Sequence, residues 1–235
     1  MTSLEQFFRD CNMALDTQHV QQMETFLTLF QKTNQQLNLS AIRDEQDIKV
    51  KHLLDSLHIG ALAEMNEGQR VLDLGTGGGF PGMPLKIMHP GAEMVFLDAT
   101  GKKLRFIESA AGTIGMDGVY YLHSRAEDAG QDPRYRGTFD LVLARAVAYL
   151  PVLLEFALPL LRVGGRLASA KGAGVDDEVH DSARALRLLG GKVESVKTYQ
   201  LPGIAEERSV ILIRKVSQTP REYPRRAGIP AKKPL

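Results

Sequence analysis

Val71-Leu72-Asp73-Leu74 runs straight into Gly75-Thr76-Gly77-Gly78-Gly79-Phe80-Pro81-Gly82, and no other stretch limits the fold so tightly. The first four residues have the apolar content of a buried parallel strand. The eight that follow include five glycines, whose backbone can take φ > 0 and let a ligand approach closely. Pro81 and Pro84 suit the first turn of a helix, where a missing N–H costs nothing. Strand, tight glycine turn and helix N-terminus together make a nucleotide-type cradle, whose unpaired N–H groups and helix dipole favour an anion.

A chain of 235 residues suits one large α/β domain, alone or with an appendage. With 43% hydrophobic and 24% charged residues, the composition is that of an ordinary soluble globular protein. Met1-Thr2-Ser3-Leu4-Glu5-Gln6 lacks the basic end and apolar core of a signal peptide. The apolar stretch 141–161 contains Arg145, Glu155, Pro151 and Pro159, which argues against a membrane span. Cys11 is the only cysteine, which excludes an internal disulfide and any cysteine-based metal cluster. The expectation is a cytoplasmic monomer that holds no metal. The net charge of +1 hides a gradient: −5 over residues 1–68, zero over 69–213 and +6 over 214–235. A basic end on a neutral body fits either a polyanionic partner or a solvated disordered terminus.

Along the chain, residues 3–37 read as two helices, with Met23, Phe26, Leu27 and Phe30 at helical spacing. After a break at Asn38–Ala41, one helix is expected over 44–62, with Ile48, Leu53, Leu54 and Leu57 facing inward. His52 and Asp55, three apart on one side of it, form either a functional pair or a purely orienting one. From Arg70 the pattern alternates strand and helix, the mark of a parallel sheet covered on both faces. Strands are expected near 70–74, 93–98, 118–123, 139–144, 166–171, 193–199 and 208–214. Helices are expected near 82–89, 101–114, 150–161 and 176–189, with a short one after Ser124. Seven strands with right-handed crossovers make an open doubly wound sheet. Only a turn separates the last two strands, so the final one is expected antiparallel. The division is a helical cap over 1–66, a main domain over 67–216 and an extended basic tail over 217–235.

Ligands of such sheets lie beyond the carboxyl ends of the strands. Those ends carry Asp73 with the Gly75–Gly77 loop, Asp98, Ser124 to Asp128, Arg145 and Lys171. An acid at Asp98 suits the ribose of a nicotinamide dinucleotide or of S-adenosylmethionine equally well. Gly77, Gly79 and Gly82 match the dinucleotide fingerprint, a weak signal when alone. The spare glycine and Asp73 favour a looser loop around an amino-acid moiety, and Ala126-Glu127 would frame an adenine edge. A methyl donor therefore leads, with a dehydrogenase and a non-catalytic nucleoside sensor behind it.

The run from Asn38 to Leu235 resembles the bacterial small-subunit ribosomal RNA methyltransferases that act on guanine N7, the glucose-inhibited division protein B family. The resemblance rests on Asn38-Leu39-Ser40-Ala41-Ile42, Lys51-His52-Leu53-Leu54-Asp55-Ser56-Leu57 and Asp73 to Gly82. Asp98-Ala99-Thr100-Gly101-Lys102-Lys103, Arg125-Ala126-Glu127, Phe139-Asp140, Ala144 to Ala148 and Tyr223 to Pro230 extend it. It implies a Rossmann-like class I methyltransferase fold, seven-stranded and mostly parallel, beneath an N-terminal helical cap. It also implies methyl-donor contacts at Gly75, Phe80, Asp98, Ala99, Thr100, Ala126, Glu127 and Arg145. Residues 1–37 match only in helical character. A methyltransferase of a small molecule or protein is the runner-up.

Guanine N7 carries a free lone pair, so transfer to it needs no general base. Arg145 is the leading catalytic candidate, bridging cofactor and RNA, or else simply paired with Asp73 or Glu127. The target guanine must be unstacked, because the A-form major groove is deep and narrow. Tyr149 and Phe80 are candidate stacking platforms. Lys102, Lys103, Arg105, Lys171, Arg225, Arg226, Lys232 and Lys233 are candidate phosphate contacts in 16S ribosomal RNA or the small ribosomal subunit.

Overall fold

The computed structural model describes residues 3–235. Met1 and Thr2, the start of the expected cap, lie outside the described residues. Helices α1 (Leu4–Asp10) and α2 (Thr17–Leu37) open the chain. Ser3 and Asp16 cap them by accepting from Gln6 N and His19 N. The single helix expected over 44–62 is three joined pieces: α3 (Glu45–Ile48), a π-helical stretch (Lys49–Leu54) and α4 (Asp55–Leu62). Such wide turns are rare and cluster at functional sites.

The remaining elements are β1 (Arg70–Leu74), α5 (Gly82–Met88), β2 (Glu93–Asp98), α6 (Gly101–Ile114), β3 (Val119–His123), α7 (Ala126–Gln131) and β4 (Phe139–Arg145). They continue with α8 (Leu150–Ala157), β5 (Leu161–Lys171), α9 (Asp176–Asp181), α10 (Ala183–Leu189), β6 (Gly191–Tyr199), β7 (Arg208–Lys215) and α11 (Ile229–Lys232). α8 stops earlier than expected because Pro159 disfavours helix at Leu158, which frees residues from Leu161 onward to begin β5. The helix expected over 176–189 breaks at Ser182, whose hydroxyl donates to the Glu178 carbonyl at 2.6 Å.

The sheet order is β3-β2-β1-β4-β5-β7-β6, parallel except for β7, which runs antiparallel between β5 and β6. Strand winding reverses between β1 and β4, so the ligand-binding crevice lies above that pair. Successive residues of β1 point to opposite faces: Val71 joins the core beneath the cap, while Leu72 and Leu74 join the core under α8. The cap has no separate core. Its Met23, Phe26 and Phe30 pack in one apolar cluster with Phe80, Phe96 and Phe106 of the main domain.

Residues 217–235 differ most from expectation. They are docked on the body and end in α11, with Pro224 and Pro230 buried. Arg136 donates to the carbonyls of Thr219, Pro220 and Tyr223, which pins the first half of the segment. Arg225 then grips Glu155, a carboxylate with no exposure inside apolar α8, through Nε and Nη2 at 2.9 and 2.6 Å.

Candidate functional site

The cradle is built from backbone. Gly75, Gly77 and Gly79 all sit at positive φ, at +70°, +57° and +92°, which a side chain would resist. Gly75 N and Thr76 N donate to the Leu97 carbonyl at 2.8 and 3.0 Å, tying the loop to the end of β2. Two carboxylates brace it from below. Asp73 Oδ2 accepts from Thr76 Oγ1 at 2.6 Å and from Gly82 N at 3.2 Å. A Cβ on Gly82 would lie 2.6 Å from that same oxygen, so only glycine fits there. Asp98 accepts from Gly77 N and Thr100 N at 3.0 and 2.8 Å, with Lys103 Nζ 3.7 Å away.

Asp73 Oδ1 is buried and has no partner among the described residues. Burial pushes the carboxyl up to about 6, despite the bonds from Thr76 and Gly82. Ala99 and Thr100 are exposed beyond β2. Ala126 opens α7, and Glu127 Oε1 accepts from Gly228 N at 2.9 Å, so the C-terminal segment reaches the expected adenine side.

The second wall is assembled from side chains. Arg145, at the end of β4, is paired neither with Asp73 nor with Glu127. Its Nη1 lies 3.1 Å from both Asp55 Oδ2 and the Lys51 carbonyl. Nη2 faces His52 Nδ1 at 3.3 Å. Tyr199 donates to the other Asp55 oxygen at 2.7 Å, and His52 Nε2 meets Ser40 Oγ at 2.8 Å. The π-helical stretch therefore brings His52 and the Lys51 carbonyl onto one cation, and the His52/Asp55 pair serves Arg145. Burial, with Arg145 second, lowers His52 to about 4, so its ring is neutral at pH 7. Ala146 follows at φ +55°, a left-handed conformation uncommon outside glycine and frequent at functional sites. Asp55, Arg145, Ala146, Lys171, Tyr199 and Arg208 help line a pocket of about 180 Å³ beside the cradle. A Cβ on Gly75 would meet Val147 at 3.1 Å, so cradle and second wall are in contact.

Several expected contacts are spent elsewhere. Phe80 is no free stacking platform: its ring, 6% exposed, stacks on His52 at 4.9 Å and meets Phe26 and Phe30. Lys171 is held by Glu178 at 2.6 Å and the Ala148 carbonyl at 2.7 Å, and Arg225 by Glu155. Tyr149 is 44% exposed, its hydroxyl donating to Asp181. Lys102, Arg105, Arg226, Lys232 and Lys233 are exposed. Sequence reasoning missed Tyr199 and Arg208, which sit in no recognisable motif, and gave no role to Ala146 within the Ala144 to Ala148 segment.

Sheet order, glycine cradle and the acid ending β2 define a class I S-adenosylmethionine methyltransferase fold. The same fold occurs in TrmN from Thermus thermophilus (TM-score 0.54, 22% identity, 68% of this chain and 48% of that one). It occurs also in M. jannaschii TYW2, solved in complex with AdoMet (TM-score 0.55, 12% identity, 69% and 76% covered). The chain belongs to the rRNA small subunit methyltransferase G (GidB) family, whose model matches residues 19–211. It is 43% identical to Ribosomal RNA small subunit methyltransferase G of Desulfitobacterium hafniense (strain Y51), over 95% of this chain and 92% of that protein. The Brevibacillus brevis protein of the same name is 40% identical, over 95% and 94%.

Proposed function

We propose that the protein methylates N7 of a guanine in 16S ribosomal RNA, with S-adenosylmethionine as donor. Family membership carries this reading, since relatives at 40–43% identity across nearly the whole chain are named for ribosomal RNA methylation. When bound, S-adenosylmethionine supplies an electrophilic methyl group on a sulfonium. The cradle fits this donor. Asp73 Oδ1 is a buried acceptor lacking a donor, which a methionine ammonium provides. Asp98 spends one lone pair of each oxygen on Gly77 and Thr100, leaving others for ribose hydroxyls. Gly75 and Gly77 add no Cβ at the two positive-φ positions on either side of Thr76. Ala99, Thr100, Ala126 and the remaining Glu127 oxygen border the adenine side.

The target atom is an unprotonated acceptor, so the protein must place it rather than deprotonate it. Asp73 and Asp98 are occupied in bracing the loop, and His52, lowered to about 4, is a weak base, which suits a site that works by positioning. Orientation alone can lower a barrier by about 7–11 kcal/mol. Arg145, fixed by Asp55 and His52, presents positive charge on the wall opposite the cradle, where Arg208 joins it to receive a phosphate of the target nucleotide. Tyr149 offers a face for the unstacked base. Lys102, Lys103, Arg105, Arg226, Lys232 and Lys233 line up further phosphates, and roughly four contacts imply a log–log salt slope near −3. This RNA-modifying enzyme would work in the cytoplasm.

The test is incubation with tritiated donor and ribosomal RNA from a strain lacking the gene, followed by nucleoside analysis. Label is expected in 7-methylguanosine. Label in another nucleoside overturns the N7 assignment, and unlabelled RNA overturns the substrate.

A further inference from the structure

At the end of the sheet opposite the cradle, where β4 and β5 begin and β7 ends, lies a pocket of about 350 Å³. Four cations line it, Arg136, Arg162, Lys215 and Arg221, and no carboxylate does. Lys215 is 2% exposed, yet its ammonium donates only to the Leu189 carbonyl and the Thr219 hydroxyl, both neutral. Arg136 donates to the carbonyls of Gly130, Thr219, Pro220 and Tyr223 and likewise meets no acid. Arg162 binds Asp140 through Nε and Val163 O through Nη1, which leaves its Nη2 without a partner among the described residues. Arg221, on the rim, is exposed; its carbonyl accepts from Gln131, and its guanidinium has no partner among the described residues.

This is unlike the rest of the molecule. Arg145, Lys171 and Arg225, only partly buried, each meet a carboxylate. Lys86, as buried as Lys215, is also held by carbonyls, but Glu67 and Asp117 lie close enough to favour its charge. The charged neighbour of Lys215 is instead another cation, and burial together with Arg136 draws it down to about 7. A buried cation with no counter-charge is costly, and the missing negative charge is what a ligand can bring.

We propose that this pocket is a phosphate-binding site. Phosphate is an acceptor-only group, and the third N–H of Lys215, the free donors of Arg162 and Arg221 and the Gln218 amide all border the space it would fill. Its source is either a phosphodiester of bound RNA, which rests on the methylation reading above, or the phosphate of a free nucleotide, which does not. Six residue steps of β4 separate the pocket from Arg145, on the order of 20 Å at the rise of a strand. The phosphate held here is therefore not that of the target nucleotide.

The experiment melts the full-length protein in phosphate and in chloride at matched ionic strength, for the natural chain, K215M and R221E. The natural chain should show a rise in Tm that saturates with phosphate. Both variants should keep only the weak, non-saturating rise that excluded salts give any protein. In chloride, K215M should melt at or above the natural chain, because the uncompensated ammonium is gone. R221E lies on the exposed rim and carries the test if K215M does not fold. A saturable rise of equal size in R221E overturns the site, as does its absence from the natural chain. For the source, RNA binding is titrated against salt. A slope shallower by about one in R221E assigns the phosphate to RNA. An unchanged slope, with phosphate saturation still lost, assigns it to a free nucleotide.

Discussion

The two walls of the cleft are made in opposite ways. The cradle is a local object: residues 70–82 supply strand, glycine turn and helix start, and its bracing acids lie at positions 73 and 98. The Arg145 wall is a long-range object, whose bonds join residues 90 and 144 positions apart. Local backbone geometry tolerates almost no change of residue type, whereas an assembled ion-pair network tolerates change as long as its charges still balance. The contrast predicts that cradle substitutions act on donor affinity, while substitutions in the wall act first on stability.

Asp55→Ala should give the largest effect. It leaves Arg145 without its counter-charge in a pocket that also holds Lys171 and Arg208, and removes the acceptor of Tyr199; breaking such a buried pair costs about 3–5 kcal/mol. Chemical denaturation should show that loss, with donor affinity in the folded protein changed only a few-fold. Gly82→Ala should come next, at about 1–3 kcal/mol, since its Cβ would press on Asp73 and on the Phe96 ring. Calorimetric titration should show donor affinity reduced at least tenfold, and wild-type affinity would break the comparison.

A pH titration sharpens it. Asp73 is raised to about 6, so the carboxylate form that the proposed donor ammonium would meet is lost as pH falls through that value. Donor affinity should drop by roughly tenfold per pH unit below about 6, and Asp73→Asn should be weak and flat with pH. Tyr199→Phe, the smallest change, should cost about 1 kcal/mol for one lost hydrogen bond and leave donor affinity alone.

The same contrast explains what could be read from the sequence. All seven strands and the parallel order around the glycine loop were legible, because strand periodicity and turn chemistry are local signals. The π-helical stretch was not: Lys49 to Leu54 have ordinary helical spacing, and the wide turn answers to Arg145 in a strand 90 residues later. The docked C-terminal segment was hidden for a similar reason. Its prolines and cations read as solvated chain, yet Glu155, a lone acid in an apolar helix, was the visible half of its anchor. Phe80 looked available because it stands in a glycine-rich loop, whereas its neighbours in space are Phe26, Phe30 and His52.

Phe80 also limits how such an enzyme can be rebuilt. Its ring locks the glycine loop to α2, and a Cβ on Gly78 would strike the Phe30 ring at 2.7 Å. The helical roof is thus no exchangeable cassette. A chimaera carrying another roof would have to remake the aromatic seam at the same time, so the roof and the glycine loop are bound to diverge together.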